Sequence, residues 1–261
     1  MSHISFSELR NWTQCPFYHK VNYIDGLRTF NGNLFTAFGR AIHLVAEKLV
    51  LKEITEKEAP VLFKENFFSE VESLPDHEGL DEQLFTQMLS QGDDLSKYIL
   101  PALNDSFGKY EVVDVEEQLY ENIDKPAAHS IGDKKFKGFI DLIIKTEDGK
   151  YRIIDWKSTS WGWDSRKRSD PMVTYQLTFY KHFFAKKHNI DPKNIETYFA
   201  LLKRTAKKNK AEIFRVTSGP RKTDNALKLL HKALYNIENK NYVKNRLACI
   251  RCELYKTKHC P

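Results

Sequence analysis

The sequence predicts an α/β fold, a mixed central sheet flanked by helices, and three observations predict it. Phe38, Ala41, Ile42, Val45, Ala46 and Leu49 recur at helical spacing. Two apolar runs, Phe136 to Ile144 and Tyr151 to Trp156, flank Glu147-Asp148-Gly149, the composition of a hairpin turn. A further helical segment and another strand follow that hairpin, so helices and strands are interspersed along the chain.

Taken in order, Ser7 to Trp12 reads as a short helix opened by a capping residue and stopped before Cys15-Pro16. Gly32 to about Leu51 is the longer helix. Residues from about 53 to 107 read as helical and polar, broken by Pro60, Pro75 and Pro101, and are expected to be a helical insertion. Tyr110 to Tyr120, with Val112, Val113, Val115 and Leu119, is the first strand of a strand-rich stretch. After the hairpin come a helix from Met172 to His188, a strand from Glu196 to Lys203 and a helix from Thr223 to Asn239. A Cys-rich tail, about 240–261, ends the chain. A single domain over 1–261 is expected.

Hydrophobic residues make up 41% and aromatics 13% of the 261 residues, enough for a packed core and too many for a disordered chain. The formal charge of +6 is compatible with a polyanionic partner without establishing one. Its distribution is more informative. Arg166, Lys167 and Arg168 form one basic cluster, and Lys203, Arg204, Lys207, Lys208 and Lys210 form another. Each is either a track for phosphates or a solvated face. No stretch approaches the roughly 20 apolar residues of a membrane span, and the first residues lack a basic segment followed by an apolar run. A cytoplasmic protein with no membrane partner is expected. Thiols stay reduced there, so Cys15, Cys249, Cys252 and Cys260 need a reason other than disulfides. Four thiolates can hold a tetrahedral zinc or a [4Fe–4S] cluster.

The densest chemistry lies in Gly138-Phe-Ile-Asp141 and Ile153-Ile154-Asp155-Trp156-Lys157. Asp155 and Lys157 are two apart and share a strand face. Charges in an apolar strand are costly unless compensated. With a three-residue turn and Gly149 left-handed, Thr146 pairs with Lys150 and Asp141 falls opposite Asp155. With a two-residue Asp148-Gly149 turn, Asp141 falls opposite Trp156 instead. Opposed carboxylates repel, and Mg²⁺ or Mn²⁺ bound between them would turn repulsion into a site. Such an ion could polarise a phosphodiester and activate a water, with Lys157 stabilising the developing charge. The plain alternative is a surface hairpin with exposed charges.

This pair of segments resembles the core of the PD-(D/E)XK nuclease superfamily, in its RecB-like branch. The resemblance implies a restriction-endonuclease-like core and a metal-dependent deoxyribonuclease, an exonuclease acting on DNA ends or single strands. It implies that His43, in Gly39-Arg-Ala-Ile-His43, is a metal ligand beside Asp141 and Asp155; by itself it reads as a structural histidine. Gln176 and Tyr180 match the branch's QxxxY motif and share a helix face. Glu116 matches the glutamate of the first core strand, with Glu117 as the neighbouring alternative. One early Cys-Pro with a late Cys249-Ile-Arg-Cys252 and Cys260 is similar to the iron–sulfur staple of AddB-type and CRISPR-associated members, although the last spacing is longer than that pattern. The resemblance thus implies a [4Fe–4S] cluster on Cys15, Cys249, Cys252 and Cys260, with structural zinc as the alternative. Trp161 and Trp163 could stack on bases or belong to the core. A non-catalytic DNA-binding or adaptor protein keeping the fold is the rival reading. No GxxxxGK[ST] motif is present, so a helicase motor would come from a partner, and a recombination or integrase partner is equally open.

Overall fold

In the computed structural model, residues 2–27, 30–75, 79–124 and 131–261 are described, all but the side chain of Arg251. The strands are β1 (His3–Ser5), β2 (Tyr110–Asn122), β3 (Lys135–Thr146), β4 (Tyr151–Thr159), β5 (Ile195–Lys203) and β6 (Ala211–Val216). The α-helices are α1 (Phe6–Gln14), α2 (Pro16–His19), α3 (Leu34–Val50), α4 (Ala59–Glu72), α5 (Glu82–Ser96), α6 (Ile99–Phe107), α7 (Ser165–Ser169), α8 (Pro171–His188) and α9 (Pro220–Glu238). A π-helical turn, Lys20–Ile24, follows α2.

The strands form one mixed sheet. β3 pairs antiparallel with β2 and β4, β4 pairs parallel with β5, and β5 pairs antiparallel with β6. The three-residue β1 lies parallel to the start of β3. A parallel β4–β5 pair needs a crossover, and α8 supplies it. The expectation of a mixed sheet flanked by helices therefore holds. Leu142, Ile144, Ile154, Trp156, Ala200 and Leu202 face a core shared with α3–α6. Ile143, Ile153, Phe199 and Leu201 face the opposite core, shared with α1, α8 and α9. Alternate residues of β4 and β5 thus feed different cores, as a strand buried on both faces requires.

Helix α3 begins where its cap dictates. The Asn33 side chain accepts from the amides of Phe35 and Thr36, and Thr36 Oγ1 accepts from the Asn33 amide. This reciprocal pair satisfies N–H groups that a helix start leaves open.

The region 53–107 departs from its expected polar character. Helices α4, α5 and α6 bury Phe63, Phe67, Met88, Leu95, Ile99 and Leu103 and supply much of one core. Pro60 and Pro101 do not break helices. They occupy the first turns of α4 and α6, where their missing N–H is not needed. Also unforeseen in the sequence were the short β1, β6 and α7, each too brief to show a period.

The C-terminal tail returns to the N-terminal segment. Asn245 Nδ2 donates to the Gln14 carbonyl at 2.8 Å, and the Tyr18 hydroxyl donates to Glu253 Oε1 at 2.9 Å. Val21, Leu254 and Cys260, with Phe17, Tyr18 and Leu27 around them, form a small separate apolar cluster.

Gly92 sits inside α5, where alanine would ordinarily gain about 1 kcal/mol of helix propensity. A Cβ there would lie 2.0 Å from the Phe63 ring, itself fully buried. Gly92→Ala is therefore expected to destabilise the fold, by roughly 1–3 kcal/mol, and chemical denaturation will show it. Unchanged or increased stability would contradict this packing.

Candidate active site

The β3–β4 turn fixes what the site can contain. Gly149 has φ +77° and its amide donates to the Thr146 carbonyl at 2.8 Å. The Thr146 amide donates to the Lys150 carbonyl, so the loop has three residues and Asp141 is in register with Asp155. The ladder itself stops one pair earlier, at Leu142–Ile154. Beyond it the Trp156 amide donates to Asp141 Oδ2 at 2.7 Å in place of a strand partner. The carboxylate is thereby held in the opening between the strands.

Groups arrive there from both layers of helices. From α3, His43 Nδ1 lies 3.5 Å from Asp141 Oδ2. From β2, Glu116 joins them: ligand atoms of His43, Glu116 and Asp141 all lie within 4.8 Å of one another. On β4, Asp155 is only 1% exposed, and its Oδ2 is 2.6 Å from Lys157 Nζ. Asp155 Oδ1 is buried without a hydrogen-bond partner. From α8, Gln176 Nε2 donates to the Tyr180 hydroxyl at 3.0 Å, and the Phe139 amide also bonds that oxygen. The ambiguity on the first long strand is resolved by position. Glu116 faces this cluster, whereas Glu117 accepts from Lys187 Nζ and His188 Nε2 at the far end of α8.

Residues 3–257 match the PD-(D/E)XK nuclease superfamily. This chain belongs to that superfamily. Among solved structures, a Eubacterium rectale protein provisionally described as an exonuclease aligns at a TM-score of 0.57 and 12% identity, over 97% of this chain and 86% of its own. That likeness is one of fold. A second structure, of SSO0001, aligns at a TM-score of 0.38 and 16% identity, over 66% of this chain and 75% of its own. No curated protein sequence matches the chain.

The electrostatics of this PD-(D/E)XK site suit a divalent cation. Burial pushes the Asp141 carboxyl up to about 7, against the opposing pull of Lys157. Burial and the neighbouring Asp141 push Asp155 up to about 6, despite Lys157. Burial, and then Lys157, lower His43, keeping its imidazole neutral and able to ligate. Burial raises Glu116 as well. Three groups that can ligate, His43, Glu116 and Asp141, converge on one point, and Asp155 on the neighbouring strand leaves a buried oxygen unpartnered. The donor set of oxygens and one imidazole fits Mg²⁺ or Mn²⁺.

The basic residues separate into two kinds. Lys203 and Arg204 are buried. Lys203 pairs with Glu212, while Arg204 donates to Ser160 and lies over the Phe35 ring. Arg168 pairs with Glu212 and Lys210 with Asp94. These four have partners within the fold, whereas Arg166, Lys167, Lys207 and Lys208 are exposed. Likewise Trp163 is buried against Phe199, and Trp161 is 65% exposed.

The four cysteines line one small cavity between the chain ends, together with Phe17, Tyr18, Asn245 and Leu254. The Asn245 amide points at Cys15 Sγ, 3.4 Å away. The thiols are not packed as tightly as the acidic group. Among the described residues, the one set of three or more His, Cys, Asp or Glu ligand atoms within 4.8 Å is the set at Asp141. No helix among these residues is long and apolar enough to cross a membrane.

The raised carboxyls carry a signed pH dependence. From the ordinary 3.8 to about 6 and about 7, the metal-free folded state holds protons that the unfolded chain has released. Stability without metal therefore falls as pH rises through that window. Cation and protons compete for the same oxygens, so Mn²⁺ affinity should rise over the same window. Melting temperatures with and without Mn²⁺ should nearly coincide at about pH 5 and separate by about pH 8. A Mn²⁺ stabilisation independent of pH would contradict these shifts.

Proposed function

We propose that this chain is a Mg²⁺- or Mn²⁺-dependent deoxyribonuclease, an exonuclease acting on DNA ends or single strands. The observation that carries the proposal is the convergence of His43, Glu116 and Asp141 beside the buried Asp155–Lys157 pair, in a chain of the PD-(D/E)XK nuclease superfamily. His43, Asp141 and Asp155 would hold the cation, with Glu116 completing the acidic wall. The bound ion would polarise a phosphodiester and lower the pKa of a coordinated water.

The chain's own groups do the rest. Lys157 is 31% exposed, so its ammonium can meet a phosphate oxygen while Asp155 keeps it aimed. Asp141, fixed by the Trp156 amide, cannot swing out of the strand opening. The Gln176–Tyr180 pair walls the site from α8 and keeps the tyrosine hydroxyl within electrostatic reach of both aspartates. Arg166, Lys167, Lys207 and Lys208 would follow the phosphate backbone, with Trp161 available to stack on a base. Preference for ends is supported by the resemblance to RecB-like enzymes and by a fold shared with a protein provisionally described as an exonuclease.

The proposal extends to the cysteines, to which we assign a [4Fe–4S] cluster joining the chain ends. Their common cavity supports a shared ligand. A single zinc, with bonds of about 2.3 Å, would hold four thiolates within roughly 4 Å of one another. Among the described residues no three thiols lie that close, so metal content decides between cluster and zinc.

Wild-type protein with Mg²⁺ or Mn²⁺ should shorten end-labelled linear DNA and spare closed circles. Asp155→Ala should abolish cutting while retaining DNA binding, and Lys157→Met should slow it at least about 100-fold. Binding without cutting by the wild type would return the adaptor reading, and cleavage by Asp155→Ala at the wild-type rate would refute the site.

Cys249→Ser should release the tail and lower the thermal midpoint, whereas Asp155→Ala should not, since only the first removes a cross-link between chain ends. Anaerobic protein should carry about four irons. One zinc per chain would replace the cluster without touching the nuclease assignment.

A further inference from the structure

Glu116 occupies a backbone conformation that its side chain disfavours. Its φ is +54°, within a long strand, where a residue with a Cβ is crowded by its own carbonyl. The ladder to β3 breaks at this residue, running from Val115–Leu142 directly to Glu117–Ile140. The consequence is visible on either side. Val115 packs against the core under α3, whereas Glu117, two residues on, faces α8 beside the buried Leu119. In a regular strand residues two apart share a face. The chain turns over at the left-handed Glu116, and β3 does the same opposite it, since Ile140 and Leu142 also face different cores; the Glu116 carboxylate thereby comes in reach of His43 and Asp141.

Something must hold a disfavoured conformation in place, and the described contacts identify it. The Glu117 side chain is 3% exposed, and its Oε1 accepts from Lys187 Nζ at 2.7 Å and His188 Nε2 at 2.6 Å. Lys187 also donates to the Gln118 carbonyl at 2.9 Å, gripping the backbone next door. Upstream, Asp114 Oδ1 accepts from the Val115 amide at 2.8 Å, at the bulge that precedes the turnover. Were Glu116 to relax to ordinary strand geometry, Glu117 would leave α8 and its buried carboxylate would lose both partners.

We propose that the Lys187–His188–Glu117 contact is a positioning clamp, which keeps Glu116 in the metal site by fixing the turned-over backbone of β2. The clamp rests on the reading of Glu116 as part of a divalent-metal site. It also ties the two sides of that site together. Tyr180 lies on α8 about two turns before Lys187, so one helix sets both the tyrosine beside Asp155 and the strand that carries Glu116.

The test is Mn²⁺ binding to full-length protein without DNA, measured by calorimetry. It compares wild type, Lys187→Met/His188→Asn, Glu116→Gln and the combination of all three changes. The two α8 residues are partly exposed, so the double variant should fold. Glu117→Gln is a second route to the same loss. The clamp predicts that the double variant weakens Mn²⁺ binding about 10-fold, as loss of an outer support typically does, and that it costs nothing further once Glu116 is glutamine. Two results overturn the clamp alone: a double variant with wild-type affinity while Glu116→Gln binds weakly, or an equal loss with and without Glu116, which is general destabilisation. Wild-type affinity in Glu116→Gln would remove Glu116 from the metal site, and the clamp with it.

Discussion

The site depends on the register of the β3–β4 hairpin. Side chains alternate along a strand, so a slip of one residue would carry Asp155 and Lys157 to the face of Trp156 and bring apolar residues into the catalytic opening. Gly149, left-handed at the third position of the turn, excludes that slip. Once Thr146 is set against Lys150, Asp141 and Asp155 must meet, and their repulsion coincides with the end of the ladder at Leu142–Ile154. The Trp156 amide, left without a strand partner, turns to Asp141. One turn residue thus determines where two carboxylates are forced together and where the sheet opens to receive a ligand.

The opening is useful because the sheet is covered on both faces. Helix α3 supplies His43 from one layer, and α8 supplies Gln176 and Tyr180 from the other. The helices of 59–107 take part indirectly. Phe63 and Phe67 pack on Phe38, one turn or so before His43, and so hold α3 against the sheet. Burial between two layers is also what raises Asp141 and Asp155. The same desolvation that makes the metal-free site costly makes it receptive to a divalent ion.

Much of this was legible in the sequence, for identifiable reasons. Strand and helix periods located β2–β5, α3, α8 and α9, and the Glu147-Asp148-Gly149 turn limited Asp141 to two registers, opposite Asp155 or opposite Trp156, of which the structure has the first. The burial within 59–107 was not legible, because Phe63, Phe67 and Met88 are separated by polar residues that face solvent and dilute the apolar pattern. The engagement of the basic clusters with the protein itself was not legible either. Lys203 and Arg204 end a buried strand and are neutralised by Glu212 or engaged by Ser160 and Phe35, partners that lie far off in sequence for all but Glu212. The choice between Glu116 and Glu117 was undecidable from alternation, since the left-handed residue breaks alternation at that point. The Lys187–His188 grip on Glu117 spans about seventy residues and leaves no local signature.

The central claim is that residues from α3, β2, β3 and β4 form one divalent-cation site. A crystal soaked in Mn²⁺ and measured for anomalous scattering tests it most directly. The account predicts a single strong peak in the strand opening, with His43 nitrogen and Asp141 and Asp155 oxygens at about 2.0–2.4 Å. No peak there, or an ion whose ligands exclude Asp141 and Asp155, would contradict it.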